Sequence, residues 1–463
     1  MSTQSRWMDV ASNSDSVGPR LSSDHWFDRL RASASCRVEQ LAHVDQRVFV
    51  CVLFTIALVV RMAALLSLRQ ISHLPGMQEG ADGIEFEQFA RALAAGRGFV
   101  HPNGIPTSFR APGFPFFVSL IYRVTHFSII AANLSFPLLG AAVCIATYLL
   151  AREVVPENSA RLSGLLMAVY FPAIYFSTVW LSEPLFMLSF ALCLWLFLKY
   201  LRTGSYAVLA AAGLLFSWSI LVRPFVVLML PALLMLDILY SRRRVFTFPL
   251  LLLCCLAPTL TWTVRNYRVH HAFVLVATNG GSTFYGGNND RVLKVPQYMG
   301  AWVSTAHLPG RAQIEAAPTE YAHDQVEWRL GKQWVRTHLK EMPLLLAMKL
   351  VRFALPDFAS ANKKFVLLSV VTYLLFVPLW ILGIRAAANK HNHTVGWLVM
   401  YLAIASTVAT AIVFWGSPRF RDAAAPMFMV YAGCGLYKWL TPYSRSRGCP
   451  SSEDIPATSA LST

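Results

Sequence analysis

The stretch GADGIEFEQFARALAAGRGFV, residues 80–100, sets Asp82, Glu85 and Glu87 among Phe86 and Phe89 and ends in a glycine-spaced turn. A carboxylate held in place can take the proton of a hydroxyl as that oxygen attacks carbon, which is general-base chemistry. A second acid, Glu183, stands in WLSEPLF between two apolar runs. An acid beside a span is costly, so Glu183 is taken with Asp82 as a candidate catalytic residue, orienting hydroxyls or sharing charge with an arginine. Arg265, Asn266 and Arg268 follow Trp262 at the end of one apolar run, and Arg419 and Arg421, in SPRFR, lie at the end of another. A guanidinium presents a planar fork of donors that matches phosphate oxygens. These four arginines form a candidate phosphate clamp, with Arg110 and Arg223 as further candidates. The loop NGGSTFYGGNN, residues 279–289, offers Tyr285 as a face for a sugar ring and Asn288 and Asn289 as hydroxyl partners, and Glu85 is a further candidate for the sugar or acceptor. No strand–helix–strand frame of a nucleotide loop surrounds it.

Each of these has a plain structural alternative. From Asp82 the order Phe86, Phe89, Ala90, Leu93 is the stripe of an amphipathic helix. Asp82 fits its N-cap, Glu85 the capping-box position, and Gly96 and Gly98 its stop. Glu87 then falls on the polar face, toward water. Ser182-Glu183-Pro184 reads as a helix start with proline at the first position. The outer arginines can snorkel beside tryptophan, and the Gly/Asn loop can be an ordinary turn. An aspartate that starts a helix is also well oriented for catalysis, so the two readings of Asp82 coexist.

These groups need a frame, and composition says which. The 463 residues are 56% hydrophobic and only 14% charged, against about 25% charged in soluble domains. The chain therefore reads as a membrane protein. Its net charge of +16 fits cationic cytoplasmic loops and an anionic ligand better than nucleic acid. The eight cysteines fall in apolar runs and tails with no CxxC or CxxH spacing, so neither a disulfide framework nor a zinc ribbon is expected. A span needs about 20 mostly apolar residues. Ten runs qualify: 47–68, 131–151, 161–181, 184–201, 206–223, 225–241, 245–263, 364–384, 395–416 and 423–441. Segments 114–130 and 343–356 are apolar but contain Pro115, Arg123, Lys349 and Arg352, so the count rises to as many as thirteen.

The expected fold is an all-α polytopic bundle, with a polar N-terminal tail over 1–46, a transmembrane domain over 47–442 and a C-terminal tail over 443–463. The first apolar run reads as an uncleaved span. Arg152, Arg161, Lys199, Arg202, Arg242, Arg243, Arg244, Arg385, Lys390, Arg445 and Arg447 fall on one side, which puts both termini in the cytoplasm. Two long loops, about 69–113 and 264–343, then face outward and carry amphipathic juxtamembrane helices. One of these is expected to run unbroken from Tyr321 to Arg352 along the outer membrane face. Arg61, inside the first run, needs an acid or a carbonyl as partner.

The order of several motifs resembles the bacterial branch of GT-C-type integral membrane glycosyltransferases, related to protein O-mannosyltransferases and lipid A aminoarabinose transferases. Asp82, Phe86, Ala90-Arg91, Leu93, Gly96 and the run from Arg110 to Pro115 are similar to that family's first periplasmic loop. YFPAIYFSTVWLSEPLF (170–186), ILVRP ending at Pro224, TWTVRNYRVHHAFVLVATNGGSTFYGGNN (261–289) and GSPRFRDAAAP (416–426) follow in the family's order. The resemblance covers roughly residues 47–440 and implies an inverting glycosyltransferase of the bacterial inner membrane with a periplasmic site. The sugar would come from a polyprenyl phosphate such as undecaprenyl phosphate, and Asp82 falls on the family's catalytic aspartate. The acceptor would be a hydroxyl of a glycan, a lipid or a protein. Two departures bear on metal binding. Many relatives have an Asp-Glu pair where this chain has Asp82-Gly83, and Arg110 stands where aminoarabinose transferases have a metal-holding glutamate. No cofactor is implied. A divalent metal is left only Glu183, His101, His270 and His271 as ligands, without supporting spacing.

Two other classes fit a polytopic chain. A transporter or lipid-linked glycan flippase predicts acids and Gly/Pro breaks in mid-span, whereas the charges here gather at outer span ends. A polysaccharide polymerase or ligase shares the carrier but has a different loop plan.

Overall fold

The computed structural model describes residues 33–35, 37–68, 81–356, 358, 363–388 and 394–441. Most of the 1–46 tail, loop residues 69–80, Lys390, Arg445, Arg447 and the 443–463 tail lie outside them.

Helix α1 (Gln46–Leu68), preceded by a helical stretch before residue 42, has 23 residues that are mostly apolar, with Gln46, Arg47 and Arg61 the main exceptions. At 1.5 Å per residue it reaches about 34 Å, enough for a hydrocarbon core of about 30 Å. Then come α2 (Ala81–Ala94), α3 (Gly113–Val124), α4 (Ile129–Arg152), α5 (Glu157–Val169), α6 (Phe171–Phe176), α7 (Glu183–Thr203), α8 (Tyr206–Val222), α9 (Leu230–Tyr240) and α10 (Arg244–His270). Short helices α11 (Gly280–Gly286), α12 (Asp290–Lys294) and α13 (Arg311–Glu315) lead to α14 (Glu320–Thr337) and α15 (Met342–Ala354). The chain closes with α16 (Lys363–Ala387), α17 (Val395–Val413), α18 (Pro418–Ala423) and α19 (Ala425–Leu440). Among the described residues the only bridge is an isolated antiparallel one between Val100 and Pro106. Six helices there are long and apolar enough to cross a membrane, and three shorter apolar ones accompany them.

Three expected elements differ. The run 161–181 breaks at Tyr170, whose ψ of 107° leaves the helical region, because Pro172 enters at the start of α6. The run 225–241 begins as a 3-10 turn over Pro224–Met229 and becomes α-helix only at Leu230. The helix expected from Tyr321 to Arg352 is two helices, α14 and α15, because Pro343 opens the second and cannot sit inside a first.

The bundle is held by close backbone approach as much as by bulky packing. Where α16 crosses α19, a Cβ on Gly383 would collide with the Tyr431 carbonyl, and one on Gly435 with the Leu379 carbonyl. Small residues at a crossing are the usual means of helix contact in a membrane, where burial of apolar surface drives nothing. Arg61 is fully buried and crosses over Gly140, where a side chain would strike the Arg61 Nε. Its guanidinium donates to the carbonyls of Ala57, Met167 and Ala168, so carbonyls are its partners. A second, smaller core joins Tyr285, Val292, Leu293, Val303, Leu308, Trp334 and Leu345. A third, of Phe353, Ala411 and Phe420, ties α15 and α17 to α18.

Candidate active site

Helix α2 presents Phe86, Phe89 and Ala90 inward, and Phe86 meets Phe114 of α3 edge-on at 5.2 Å. The chain leaves α2 through Gly96, at φ 75°, and returns with Arg110 beside the start of the helix. Arg110 Nη2 lies 2.8 Å from Asp82 Oδ1, and its Nε donates to Glu85 Oε2 at 2.5 Å. The helix begins at Ala81, so Asp82 sits in its first turn and is not the N-cap. Glu85 spends its carboxylate on Arg110, which displaces the capping-box pairing. Glu87, expected in water, is buried: Arg91 Nε donates to it at 2.9 Å and the Tyr122 hydroxyl at 3.1 Å, because α3 covers that side of α2.

Three distant segments complete the cluster. Glu183 opens α7 ahead of Pro184 and is fully buried. Arg223 caps the end of α8 in extended backbone and puts Nη1 2.8 Å from Glu183 Oε1. Ser417 caps α18, accepting from the Arg419 backbone N–H at 3.2 Å. That fixes Arg419 in the first turn of α18, with Nε donating to Glu183 Oε1 at 2.7 Å and Nη1 donating to Asp82 Oδ2 at 3.3 Å. Arg419 thus joins the two acids singled out from the sequence, although Asp82 and Arg419 are 337 positions apart.

Three carboxylates and three guanidiniums balance in charge, but not in exposure. The side chains of Asp82, Arg110 and Arg419 are 28%, 20% and 41% exposed, whereas Glu183 is at 0%. Burial alone would raise the Asp82 pKa; the Arg110 and Arg419 guanidiniums outweigh it and, against the Glu183 charge, hold the carboxyl below its ordinary value. Asp82 is therefore ionised at neutral pH and reachable. Burial works against the Arg419 charge, but Glu183 and Asp82 raise its pKa, so it stays cationic.

Helix α18 is anchored by its other face. Arg421 donates through Nε to Asp422 Oδ1 at 2.9 Å and through Nη1 to the carbonyls of Phe353, Ala354 and Leu355, at the end of α15. The Tyr170 hydroxyl, at the break between α5 and α6, donates to the same Asp422 oxygen at 2.7 Å. Arg421 is 6% exposed, so it serves the fold and is not offered to a phosphate.

The other proposed clamp arginines lie elsewhere. Arg265 turns inward, donating to the Thr107 and Phe99 carbonyls at 2.7 and 2.8 Å and to the Ser108 hydroxyl at 2.9 Å. Around it Asn266, Ser108, His270, Thr107, Thr278 and Glu320 share one polar knot. Arg268 is exposed on α10 and has no ion pair among the described residues. Tyr285 is 4% exposed and donates its hydroxyl to the Pro309 carbonyl, so it offers no open stacking face. Asn289 caps α12, and Asn288 accepts from the buried Lys349 Nζ at 2.9 Å. The run expected as a loop or turn is therefore mostly helix: residues 280–286 form α11, packed under Trp328, and only 287–289 turn into α12. Among the described residues no group of three or more His, Cys, Asp or Glu is placed to hold a metal.

Reading the sequence missed the anchors. Asp422 lies inside the quoted GSPRFRDAAAP run, and its acidity was the available signal. Lys349 showed only as a charge in an apolar segment and Glu320 not at all, because their partners Asn288 and Ser108 lie 61 and 212 residues away.

The segment 109–264, about a third of the 463 residues, matches the sequence profile of the family described as dolichyl-phosphate-mannose-protein mannosyltransferase. It contains Arg110, Glu183 and Arg223. Among curated proteins no sequence match was found. The oligosaccharyltransferase of Archaeoglobus fulgidus, tethered to an acceptor peptide with the NVT sequon, superposes with a TM-score of 0.55 at 11% identity, over 90% of this chain and 52% of that one. Its apo form gives 0.50 at 11% identity, over 84% and 50%. ArnT from Cupriavidus metallidurans, bound to undecaprenyl phosphate, gives 0.41 at 15% identity, over 86% and 78%. The chain spans about half the length of the archaeal enzymes it matches, and at such identities the likeness is one of fold.

Proposed function

We propose that this protein is a GT-C-type membrane glycosyltransferase that takes its sugar from a polyprenyl phosphate and passes it, with inversion, to an acceptor hydroxyl at the outer face of a bacterial inner membrane. The observation that supports this best is the Asp82–Arg419–Glu183 junction: one reachable carboxylate beside two cations that are themselves partly open. The description of the matched family, which names a dolichyl-phosphate sugar donor, supports the donor class.

Asp82 is the general base. Arg110 and Arg419 keep it ionised and hold its orientation. The acceptor oxygen attacks the anomeric carbon from the face opposite the phosphate, its proton passes to the Asp82 carboxylate, and the carbon–oxygen bond to phosphate breaks. The electron pair leaves with the lipid phosphate. That dianion is a good leaving group, so guanidinium charge can stand in for a general acid. Arg419 has five N–H donors and spends three on Glu183 and Asp82, which leaves two for phosphate oxygens. Arg110 likewise keeps unspent donors. Glu183, closed to solvent, acts through Arg419 and Arg223 and is a positioning residue. The ten expected spans, the outward loops 69–113 and 264–343 and cytoplasmic termini belong to the same proposal, and the lipid tail of the donor lies against the bundle.

The test is reconstitution in proteoliposomes with labelled polyprenyl-phosphate sugars and a panel of glycan, lipid and peptide acceptors. Sugar transfer without movement of the carrier between leaflets is the expected result. Carrier translocation without transfer would mean a flippase.

A further inference from the structure

Helix α14 carries a face that the reaction above does not use. Its acids point inward: Asp324 and Glu327 are each 7% exposed, and Glu320 belongs to the knot around Ser108. Its outer stripe, at helical spacing, is Gln325, Trp328, Arg329, Lys332, Gln333 and Arg336. These residues, with Thr337, line a concavity of about 560 Å³. Arg329, Lys332 and Arg336 are exposed and have no ion pair among the described residues, so three positive charges stand together uncompensated.

Trp328 makes the stripe more than a solvated charge run. Its ring stacks on Phe284 at 4.8 Å and 24°, meets Phe414 edge-on at 6.4 Å, and lies over Gly280, where a Cβ would stand 3.1 Å from its Nε1. Lys332 Nζ is 5.2 Å from the ring centroid. The indole is thus rigid and half-buried, flanked by two primary amides and three cations. An aromatic face with amides suits a sugar ring, and fixed cations suit its anionic substituents. Phe414 leads through Trp415 and Ser417 into α18, so the stripe adjoins the segment that carries Arg419. The apolar side of α14, through Gly331 and Trp334, is already packed on α11 and the second core, which leaves no apolar flank to enter a membrane.

We infer that the outer stripe of α14 is a docking surface for an acidic saccharide, phosphorylated or uronic, and that the acceptor of the transfer reaction is such a glycan. The second half rests on the function proposed above; binding itself does not. The test therefore uses the full chain in detergent carrying Asp82→Asn, so that turnover plays no part. Binding of three disaccharides, one phosphorylated, one uronic and one neutral, is measured by calorimetry at low and high salt. A triple variant Arg329→Gln/Lys332→Gln/Arg336→Gln and a single Trp328→Phe are compared with the parent. Expected is binding of the acidic sugars at least about tenfold tighter than the neutral one, lost on the order of tenfold in the triple variant and weakened severalfold by salt, as exposed charges are screened beyond about 10 Å at 0.1 M salt. The Trp328→Phe variant weakens all three sugars. Equal binding of the three, or acidic binding unchanged in the triple variant, overturns the proposal. So does charge-dependent capture by phosphatidylglycerol vesicles without sugar binding, which would make the stripe a headgroup contact. Should Asp82→Asn turn out to transfer sugar while the stripe still binds acidic glycans, the catalytic assignment fails and the docking surface stands.

Discussion

Two polar clusters of similar make-up sit in this protein and do different things. Around Arg419, guanidiniums face carboxylates and leave part of their surface open. Around Arg265, a guanidinium faces carbonyls and a hydroxyl, and the nearby carboxylate of Glu320 is taken by Thr107, Thr278 and the Ser108 amide. The first arrangement leaves N–H donors and an ionised, reachable acid for a ligand. The second satisfies its groups internally and ties the 99–108 loop to α10 and α14. Arginine at the end of an apolar helix is therefore not a phosphate site by position alone; unspent donors and access decide.

Substitutions can break or sharpen this contrast. The largest expected effect is at Arg419: Arg419→Gln should cut transfer about 10²–10³-fold, the loss typical of removing one charge-stabilising donor. Thermal stability should fall far less than transfer does. Next, Arg421→Met, two residues on, leaves Asp422 buried without its cation; breaking such a pair costs about 3–5 kcal/mol. It should appear as poor folding yield and lowered melting temperature, with any folded remainder keeping its donor KM. Arg265→Met should cost about 1–3 kcal/mol for the carbonyls left unsatisfied, read by thermal unfolding in detergent. If donor KM rose instead and stability held, Arg265 would join the phosphate site and the contrast would fail. A smaller change is expected at Tyr285→Phe, about 0.5–1.5 kcal/mol for one hydrogen bond, with acceptor KM unmoved.

A pH effect separates the two sides of α14. Burial raises the Asp324 pKa to about 7, against the hydrogen bond from Gly281 and with the charges of Glu327 and Glu320 adding to it. Its folded value lies above its ordinary 3.8. The stability it contributes is thus full below that ordinary value and is lost as pH rises toward about 7. Hydrogen exchange in α11 and the start of α14 should quicken between about pH 4 and 7, and Asp324→Asn should flatten that dependence. Asp82 shifts the other way, so transfer should hold from pH 8 down to the ordinary carboxylate range and fall only below it.

Much of this was legible in the sequence where the signal is local. Most apolar runs coincide with helices because about 20 apolar residues in a row have few other solutions; the exceptions, 161–181 and 225–241, are the runs that Pro172 and Pro224 interrupt or open. Only the family resemblance brings Asp82 and Arg110 into one loop; that Arg110 pairs with both Asp82 and Glu85 is seen only in the fold. Arg419 and Arg421 could not be told apart. At 3.6 residues per turn, positions two apart point to nearly opposite sides of a helix, and only the packing of α18 on α15 says which side is inward. The inward turn of Arg265 and the anchoring of Asn288, just past α11, by Lys349 depend on long-range partners, which spacing does not carry. Glu87 was misplaced because its face of α2 is covered by α3, a contact that periodicity alone does not reveal.

The most direct measurement is transfer by Asp82→Asn. The variant is purified beside the parent, matched for melting temperature and monodispersity, and reconstituted with labelled polyprenyl-phosphate sugar and the acceptor found in the panel. Loss of a general base predicts a rate about 10²–10⁴-fold lower with donor still bound. Transfer at the parent's rate by a folded Asp82→Asn protein would contradict the role given to the Asp82–Arg419–Glu183 junction.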